Sequence, residues 1–195
     1  MRSATILRDT KETKINLTIN LDGSGKSKIN TGVGFFDHML TLISFHGQFD
    51  LDVECIGDLE VDSHHTVEDV GIALGQCFKV ALGDKLGINR YGSFRVVMDE
   101  ALVTTDLDIS ARAYLVYNVE VTTPILGNFE TEMCEEFFRA FCYQAGITLH
   151  INKIYGKNSH HIIEAAFKSC GRALKQAIKI EAENMGKIAS TKGLL

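Results

Sequence analysis

The sequence has one proline and no tryptophan among its 195 residues. It also lacks a stretch rich in serine, glycine and proline, which is the composition typical of a flexible linker. Nothing therefore marks a hinge between independent domains, and the length predicts one domain of ordinary size or two fused half-size units. Hydrophobic residues make up 45% of the chain, which is enough for a sizeable core and excludes a disordered protein.

The chain has no excess of basic residues. It carries 20 Lys and Arg against 25 Asp and Glu, a net charge of -5, whereas general nucleic-acid binders usually show a basic excess. No apolar run approaches the roughly 18 residues that span a bilayer, and the N-terminal residues lack the apolar stretch of a signal peptide. We therefore expect no nucleic-acid partner, no membrane span and a cytoplasmic location.

The cysteines do not form a recognisable framework. Their number is odd and no C-x-x-C motif is present, which argues against a set of disulfides and against a zinc knuckle. We expect buried thiols in a reducing compartment. The five positions are Cys55, Cys77, Cys134, Cys142 and Cys170.

An internal repeat dominates the sequence. Residues 63–82 and 159–178 share the pattern S-H-H-x-x-E followed by G-x-x-x-K, at one fixed offset. A match of this length at a single offset indicates a duplication. The predicted halves are residues 1–88 and 89–195, joined in one compact domain.

Hydrophobic periodicity predicts a mixed α/β chain. Apolar residues alternate in some segments, as in half-buried strands, and recur at helical spacing in others. The predicted strands cover 14–21, 49–55, 94–98, 101–109, 112–121 and 147–152, and the predicted helices cover 35–45, 66–85, 129–145 and 161–184. Two sheets and four helices would bury one another's apolar faces as layers, which defines an α+β fold.

The repeated His-His-x-x-Glu motif indicates metal binding. On a helix, each histidine shares a face with the glutamate three or four residues later, and imidazole with carboxylate suits Mn²⁺, Fe²⁺ or Zn²⁺. Adjacent histidines diverge by about 100°, so they serve different metals or a metal shared across an interface. Two copies predict two metals per chain. The alternative is a pair of helix N-termini capped by Ser63 and Ser159.

Several single residues allow simpler interpretations. His46 precedes a glycine at a predicted helix C-terminus, where a cation suits the helix dipole. His150 lies in an alternating strand and is predicted to be structural. Residues 190–193, Ser-Thr-Lys-Gly, form either a frayed tail or a segment that closes over an anion.

Further motifs extend along the whole chain. They are R-x-T-x-E-T at 8–13, N-T-G-V-G-F-F-D-H-M-L at 30–40, D-S-H-H-T-V-E-D at 62–69, G-I-N-R-Y-G at 87–92, M-D-E-A-L at 98–102, D-I-S-A-R-A-Y-L at 108–115, G-K-N-S-H-H-I-I-E-A-A-F-K at 156–168 and S-T-K-G at 190–193. With these motifs the sequence resembles the imidazoleglycerol-phosphate dehydratase family of histidine biosynthesis. One departure is Ser63, where the family usually has a second aspartate.

The resemblance implies a fold, a reaction and a set of site residues. The family fold is a layer of four helices between two four-stranded sheets, and its members are manganese enzymes that assemble as 24 subunits. The implied metal ligands are His38, His64, His65, Glu68, Glu136, His160, His161 and Glu164, where Glu136 replaces a frequent histidine. The implied phosphate site is Arg90, Arg112, Lys168, Ser190 and Lys192, and the substrate is further contacted by Glu12, His38, His46, His64, Glu68 and His160.

The implied reaction removes water from imidazole glycerol phosphate to give imidazole acetol phosphate. The C–H bond to be broken does not adjoin a carbonyl, so the imidazole ring must supply the electrons, and Lewis acids at its nitrogens favour the imidazolate. Glu12 is the predicted acid/base residue because it lies outside the metal motifs, and Glu164 is the second candidate. The alternatives are a di-metal carboxylate oxidase of helix-bundle type and a non-enzymatic metal-binding protein.

Overall fold

The computed structural model describes residues 2–195, which form two four-stranded sheets, a two-stranded hairpin and four long helices. The first half contains β1 (Ser3–Asp9), β2 (Thr13–Asn20), β3 (Ser27–Asn30), α1 (Gly34–Gly47), β4 (Asp50–Gly57) and α2 (His64–Leu82). The second half contains β5 (Tyr91–Met98), β6 (Ala101–Asp108), β7 (Tyr114–Asn118), β8 (Ile125–Leu126), β9 (Phe129–Glu130), α3 (Met133–Ala145), β10 (Thr148–Tyr155), α4 (Ser159–Ile178) and a short 3-10 helix, Ala182–Asn184.

The two large sheets have the same topology. Their strand orders are β1-β2-β4-β3 and β5-β6-β10-β7. In each sheet one pair is parallel, β3 with β4 and β7 with β10, and the other pairs are antiparallel. The first sheet is built from strands within residues 3–57 and the second from strands within residues 91–155.

The helices lie between the sheets. Helices α1 and α2 pack on the first sheet and α3 and α4 on the second, while α2 packs against α3 and α1 against α4. The alternating residues Ile15, Leu17 and Ile19 of β2 are all buried under this layer. The predicted arrangement of two sheets and four helices is confirmed, and the helix-bundle alternative is wrong because eight strands form the sheets.

The repeated glycine of the motif lies where the helices cross. A Cβ at Gly75 of α2 would lie 2.6 Å from the carbonyl oxygen of Phe141 in α3. A Cβ at Gly171 of α4 would lie 2.6 Å from the carbonyl oxygen of Ile43 in α1. Because glycine has no side chain, each helix pair can approach closely. This close approach sets where the histidine motifs, at the N-termini of α2 and α4, lie relative to the neighbouring helix.

Four strands were not predicted, two in the first large sheet and the two short hairpin strands β8 and β9, and one strand was predicted too long. β1 and β3 were not predicted, and β7 ends at Asn118 rather than at residue 121. β1 has half of its side chains exposed and β3 has four residues and no fully buried side chain, so their apolar pattern is weak.

Two helix boundaries were also predicted wrongly. α3 begins at Met133 rather than at residue 129, because Phe129–Glu130 pairs with Ile125–Leu126 in a hairpin. α4 ends at Ile178 rather than at residue 184, because Ile180 forms a bridge with Ile88. Tertiary pairing overrides the local helical preference in both segments.

The cysteines are buried, as expected. All five cysteines are free and buried, and burial raises the pKa of the Cys55 thiol to about 12. None of the helices formed by residues 2–195 is long and apolar enough to cross a membrane.

Candidate active site

Three predicted ligands from the two halves meet between α1 and α4. The Nε2 atom of His38 lies 2.8 Å from Oε1 of Glu164, and the Nε2 atom of His160 lies 3.1 Å from the same oxygen. One donor atom from each residue lies within 4.8 Å of the other two. The close packing of α1 against α4 therefore builds a His-His-Glu group, which we call the α1/α4 centre.

The helix ends aim these side chains. The side chain of Asn158 caps α4 by accepting from the backbone N–H groups of His160 and His161, at 2.9 and 3.3 Å. Asp62 accepts from the N–H of His64 in the same way, at 2.8 Å. The alternative in which Ser63 and Ser159 cap the helices is wrong: neither hydroxyl caps its helix.

The two serines instead form hydrogen bonds to the segment between β7 and α3. The hydroxyl of Ser63 donates to the carboxylate of Glu130. The hydroxyl of Ser159 accepts from the N–H groups of Thr122 and Thr123, at 3.3 and 3.1 Å. Both motif serines therefore hold neighbouring loops.

Glu164 is an ionised carboxylate in a buried position. Its side chain is 7% exposed, and burial by itself raises the pKa. The ammonium of Lys168, 2.5 Å away, and the two histidines outweigh burial and lower the pKa of Glu164 to about 2. A metal ion at this place would find a carboxylate that is already deprotonated.

The corresponding residues at α2 and α3 are more open. Nε2 of His64 lies 3.6 Å from Oε2 of Glu68, and their side chains are 43% and 44% exposed. His64 and Glu136 line one cavity of about 750 Å³, and the Glu136 carboxylate lies 3.6 Å from Nε of Arg139. We call His64, Glu68 and Glu136 the α2/α3 centre, although their donor atoms do not all lie within 4.8 Å of one another.

The second histidine of each pair belongs to neither centre within the chain. Nδ1 of His65 lies 3.0 Å from Oδ2 of Asp58, and Nδ1 of His161 lies 2.8 Å from Oε2 of Glu100. These carboxylates raise the pKa of both imidazoles. The divergence of adjacent histidines, predicted from helix geometry, is therefore present in the structure.

Glu12 lies in the turn between β1 and β2, beside α2. Its Oε1 atom is 3.8 Å from Nε2 of His65, and its side chain is 53% exposed. The turn is held by Asp69 of α2, which bonds the guanidinium of Arg8 at 2.7 Å and the hydroxyl of Thr13 at 2.5 Å. Glu12, the predicted acid/base residue, therefore has an exposed carboxylate on a turn that Asp69 holds in place.

Four of the five residues implied for phosphate binding line one cleft. The cleft has a volume of about 420 Å³ and includes Arg90, Arg112, Ser190 and Lys192. The side chain of Arg112 is 71% exposed, so its guanidinium is open to a ligand. A cleft with three cations and a hydroxyl suits an anionic group.

Arg90 ties the C-terminal segment to this cleft. Its guanidinium donates to both carboxylate oxygens of Asp108, at 2.6 and 3.0 Å, and to the carbonyl of Ala189 at 2.8 Å. Arg90 also adopts a left-handed backbone conformation, with φ 72°, which is uncommon for a residue with a side chain. Residues 190–193 are consequently anchored next to Arg90, and the frayed-tail alternative is not supported.

Lys168 and His46 lie elsewhere, along the α1/α4 interface. Lys168 contacts Glu164 rather than the cleft. Burial lowers the pKa of His46, and the positive charges of Lys168 and Arg172 lower it further. His46 is at the C-terminus of α1, as predicted, but this environment disfavours the cation that the helix dipole would favour.

Sequence reasoning missed the residues that support the site. Asp58, Asp69, Glu100 and Asp108 each bond a predicted site residue or its turn. Asp69, Asp108 and Glu100 all lie inside motifs named above, at 62–69, 108–115 and 98–102, so the residues themselves could be identified from the sequence. Their partners could not, because these contacts span up to 61 residues of chain.

Solved structures with this fold define the class of protein. A crystal structure of imidazoleglycerol-phosphate dehydratase from Staphylococcus aureus subsp. aureus N315 has a TM-score of 0.84 at 42% identity, covering 92% of this chain and 99% of that chain. The enzyme from Pyrococcus furiosus, in complex with (S)-C348, has a TM-score of 0.82 at 35% identity, covering 97% and 100%. The fold is that of a dehydratase, a hydro-lyase.

Sequence comparisons specify the family. The sequence model of imidazoleglycerol-phosphate dehydratase matches residues 31–174. Dehydratases of this name from Lactococcus lactis subsp. cremoris (strain SK11) and Acetivibrio thermocellus are 61% and 60% identical, over 100% of this chain and 98% and 99% of their own. The chain belongs to the imidazoleglycerol-phosphate dehydratase family, and its function is that of this enzyme in histidine biosynthesis.

Proposed function

We propose that the chain dehydrates imidazole glycerol phosphate with two Mn²⁺ ions per subunit and the site residues described above. The observation that carries the metal proposal is the α1/α4 centre, where His38, His160 and Glu164 bring three donor atoms within 4.8 Å. Nitrogen and oxygen donors of this kind suit Mn²⁺, Fe²⁺ or Zn²⁺. The family resemblance favours Mn²⁺ among them.

The geometry of the α1/α4 centre fits an ion. Two imidazole nitrogens lie 2.8 and 3.1 Å from one carboxylate oxygen, and these three donor atoms would hold a divalent ion. The α2/α3 centre has the same types of donor. The eight ligands that we propose are His38, His64, His65, Glu68, Glu136, His160, His161 and Glu164.

The chain's own residues would hold the substrate and move its protons. A bound divalent ion would supply Lewis acidity beside a nitrogen of the substrate ring. We assign the proton transfer at the glycerol side chain of the substrate to Glu12. The Glu12 carboxylate has no salt bridge to a lysine or arginine among the described residues and lies beside His65. Glu164 is the weaker candidate, since the lysine that lowers its pKa to about 2 also weakens it as a base.

The cleft at Arg90 would hold the phosphate. Planar guanidinium groups bind phosphate oxygens in pairs, and Arg112 is exposed for this purpose. Ser190 and Lys192 would close the cleft from the C-terminal side. Anchoring the phosphate would orient the reacting carbons of the substrate relative to the acid/base residue, which lowers the entropic cost of the reaction. Lys168, at Glu164, would act at the imidazole end instead.

We propose that the metals are shared between subunits of a 24-chain homo-oligomer in the cytoplasm. His65 and His161 face Asp58 and Glu100 with Nδ1, and their Nε2 atoms make no hydrogen bond among the described residues. Ligands from a second chain would complete their coordination. We also propose that the two halves, 1–88 and 89–195, arose by duplication, since their sheets share one topology.

Turnover after metal removal tests the catalytic part of the proposal. The chelated protein should lose the formation of imidazole acetol phosphate from imidazole glycerol phosphate, and Mn²⁺ should restore it better than Mg²⁺, because imidazole ligands suit Mn²⁺ better. Full turnover by the metal-free protein would contradict metal dependence. The product assay also distinguishes this enzyme from a protein that only stores metal.

Light scattering tests the assembly. A ligand that binds only the assembled state stabilises it by mass action. We therefore expect a particle of 24 chains with Mn²⁺ and a smaller species with chelator. A monomer that retains two tightly bound ions would contradict shared sites.

A further inference from the structure

One arrangement is repeated in both halves outside the two centres. The second histidine of each pair, His65 or His161, has Nδ1 within hydrogen-bonding distance of a carboxylate, at 3.0 Å and 2.8 Å. The nearest carboxylate oxygens to the Nε2 atoms are farther, at 3.8 Å from Glu12 and 3.7 Å from Asp99. These distances are too long for hydrogen bonds. Each ring is therefore held at one nitrogen and free at the other.

Glu100 is itself rigidly placed. Its Oε1 atom accepts from the backbone N–H groups of Lys157 and Asn158, at 3.1 and 2.7 Å, which leaves Oε2 for His161. The carboxylate that accepts from His161 is thus held by backbone N–H groups of the loop that precedes α4. Any rotation of the carboxylate breaks bonds to the backbone as well as to the imidazole.

Asp58 serves His65 with a different set of contacts. Both of its carboxylate oxygens lie near Nδ1, at 3.1 and 3.0 Å. Its backbone N–H donates to the carbonyl of Glu12 at 3.1 Å, so the loop carrying Asp58 is attached to the turn carrying Glu12. The ring of His65 and the Glu12 turn are consequently held by the same residue.

We propose that Asp58 and Glu100 are positioning residues, which fix His65 and His161 in the tautomer with hydrogen on Nδ1 and present the Nε2 lone pair outwards as a metal ligand. A carboxylate that accepts from one imidazole nitrogen selects the tautomer and the ring orientation. The inference rests on the proposed role of both histidines as ligands. Loss of such a partner typically lowers metal affinity by about 10–100-fold.

Two isosteric variants separate this role from a merely structural one. In Glu100→Gln, the two backbone N–H groups retain the single amide oxygen, so the amide N–H₂ faces Nδ1 of His161 and favours hydrogen on Nε2. In Asp58→Asn, the amide can rotate to place its oxygen on Nδ1 of His65. We expect Glu100→Gln to reverse the tautomer of His161 and Asp58→Asn to preserve that of His65.

The measurement is made first on metal-free full-length protein. ¹⁵N NMR of the neutral imidazoles reports which nitrogen carries the hydrogen, and Mn²⁺ titration then reports affinity. Glu100→Gln and Asp58→Ala should weaken Mn²⁺ binding by about 10–100-fold, whereas Asp58→Asn should stay within a few-fold. Glu54→Ala, at an exposed position on β4, is the control and should change neither quantity.

The outcomes distinguish this inference from the proposed metal function. An unchanged tautomer and unchanged Mn²⁺ affinity in Glu100→Gln and Asp58→Ala would overturn the positioning role even though the wild type binds metal. If the wild type binds no Mn²⁺, the metal proposal and the ligand role fail together. A reversed tautomer with tenfold weaker binding supports both parts.

Discussion

The α1/α4 and α2/α3 centres come from the same repeated motif but differ in environment. Glu164 is 7% exposed and contacts two histidines and a lysine, whereas Glu68 is 44% exposed and its nearest partner is 3.6 Å away. Lys168, one turn after Glu164, corresponds in the repeat to Ile72, which cannot pair with Glu68. A repeated motif therefore reproduces the types of side chain, while the flanking residues decide how closely the glutamate of each motif is paired.

The largest expected effect is on stability at the α1/α4 centre. With chelator present, Glu164→Gln should lower the free energy of unfolding by about 3 kcal/mol, because it leaves the shielded ammonium of Lys168 without its charge partner. Glu68→Gln should cost at most about 1 kcal/mol, because its pair is exposed. Urea unfolding of both variants measures the difference, and equal losses would contradict the contrast between the centres.

The cationic cleft extends the comparison to the C-terminal segment. Arg2 and Arg90 precede the first strand of each sheet, and each donates to an aspartate and to a backbone carbonyl. The guanidinium of Arg90 donates to both carboxylate oxygens of its aspartate, whereas that of Arg2 donates twice to one oxygen. Only Arg90 has the segment with Ser190 and Lys192 beside it.

Truncation after Ala189 should therefore raise KM by about 10–100-fold, through the loss of charge-assisted hydrogen bonds of about 1.5–3 kcal/mol each. Because residues 190–195 contribute no buried side chain, the fold should persist. Steady-state kinetics with imidazole glycerol phosphate measures KM, and circular dichroism checks the fold. Lys187→Ala, at an exposed lysine that does not line the cleft, is the control and should leave KM near the wild-type value.

The helix crossings are where the two helix pairs are most alike. Gly75→Ala and Gly171→Ala should each cost about 1–3 kcal/mol, because the new methyl group meets a backbone carbonyl at 2.6 Å. Gly34→Ala, at the open start of α1, should change stability by less than about 1 kcal/mol. Thermal unfolding of the three variants compares them. A tolerated alanine at one crossing alone would show that the two helix pairs pack differently.

The smallest effect concerns acid sensitivity. In a helix alignment that matches His38 with Glu136, His46 at the α1/α4 interface corresponds to Gln144, which bonds Gln76. Burial and the nearby Lys168 and Arg172 lower the pKa of His46, so the unfolded chain binds a proton that the native state resists. His46 therefore destabilises the fold as the pH falls below about 6.5, the ordinary pKa of a histidine, and has no such effect at higher pH.

His46→Gln should remove that part of the pH dependence. The variant and the wild type should show a constant difference in stability at and above neutral pH. At mildly acidic pH the wild type should lose more. Chemical denaturation at several pH values in chelator measures this difference, and parallel pH profiles for the two proteins would contradict the role of His46.

Much of the fold could be predicted from hydrophobic periodicity, because a strand or helix with one buried face leaves a local pattern in the sequence. The alternation in β2 and β4 and the helical spacing in α1 reflect one buried face each, and the structure has these elements close to the predicted bounds. β1 and β3 escaped because too few of their side chains are buried to leave a pattern. The α3 and α4 boundaries were wrong because pairing with distant segments ends each helix.

The sequence by itself determined the repeated motif, the types of its candidate ligands and the divergence of adjacent histidines, since each follows from residue order and helix geometry. Only the tertiary structure decided that α1 packs on α4, which brings His38 to Glu164 across 126 residues of chain. It also decided that Glu164 is buried beside a lysine and that Asp58 and Glu100 hold the outer histidines. These contacts depend on how whole helices and sheets bury their apolar faces against each other, and that information is distributed over the entire chain.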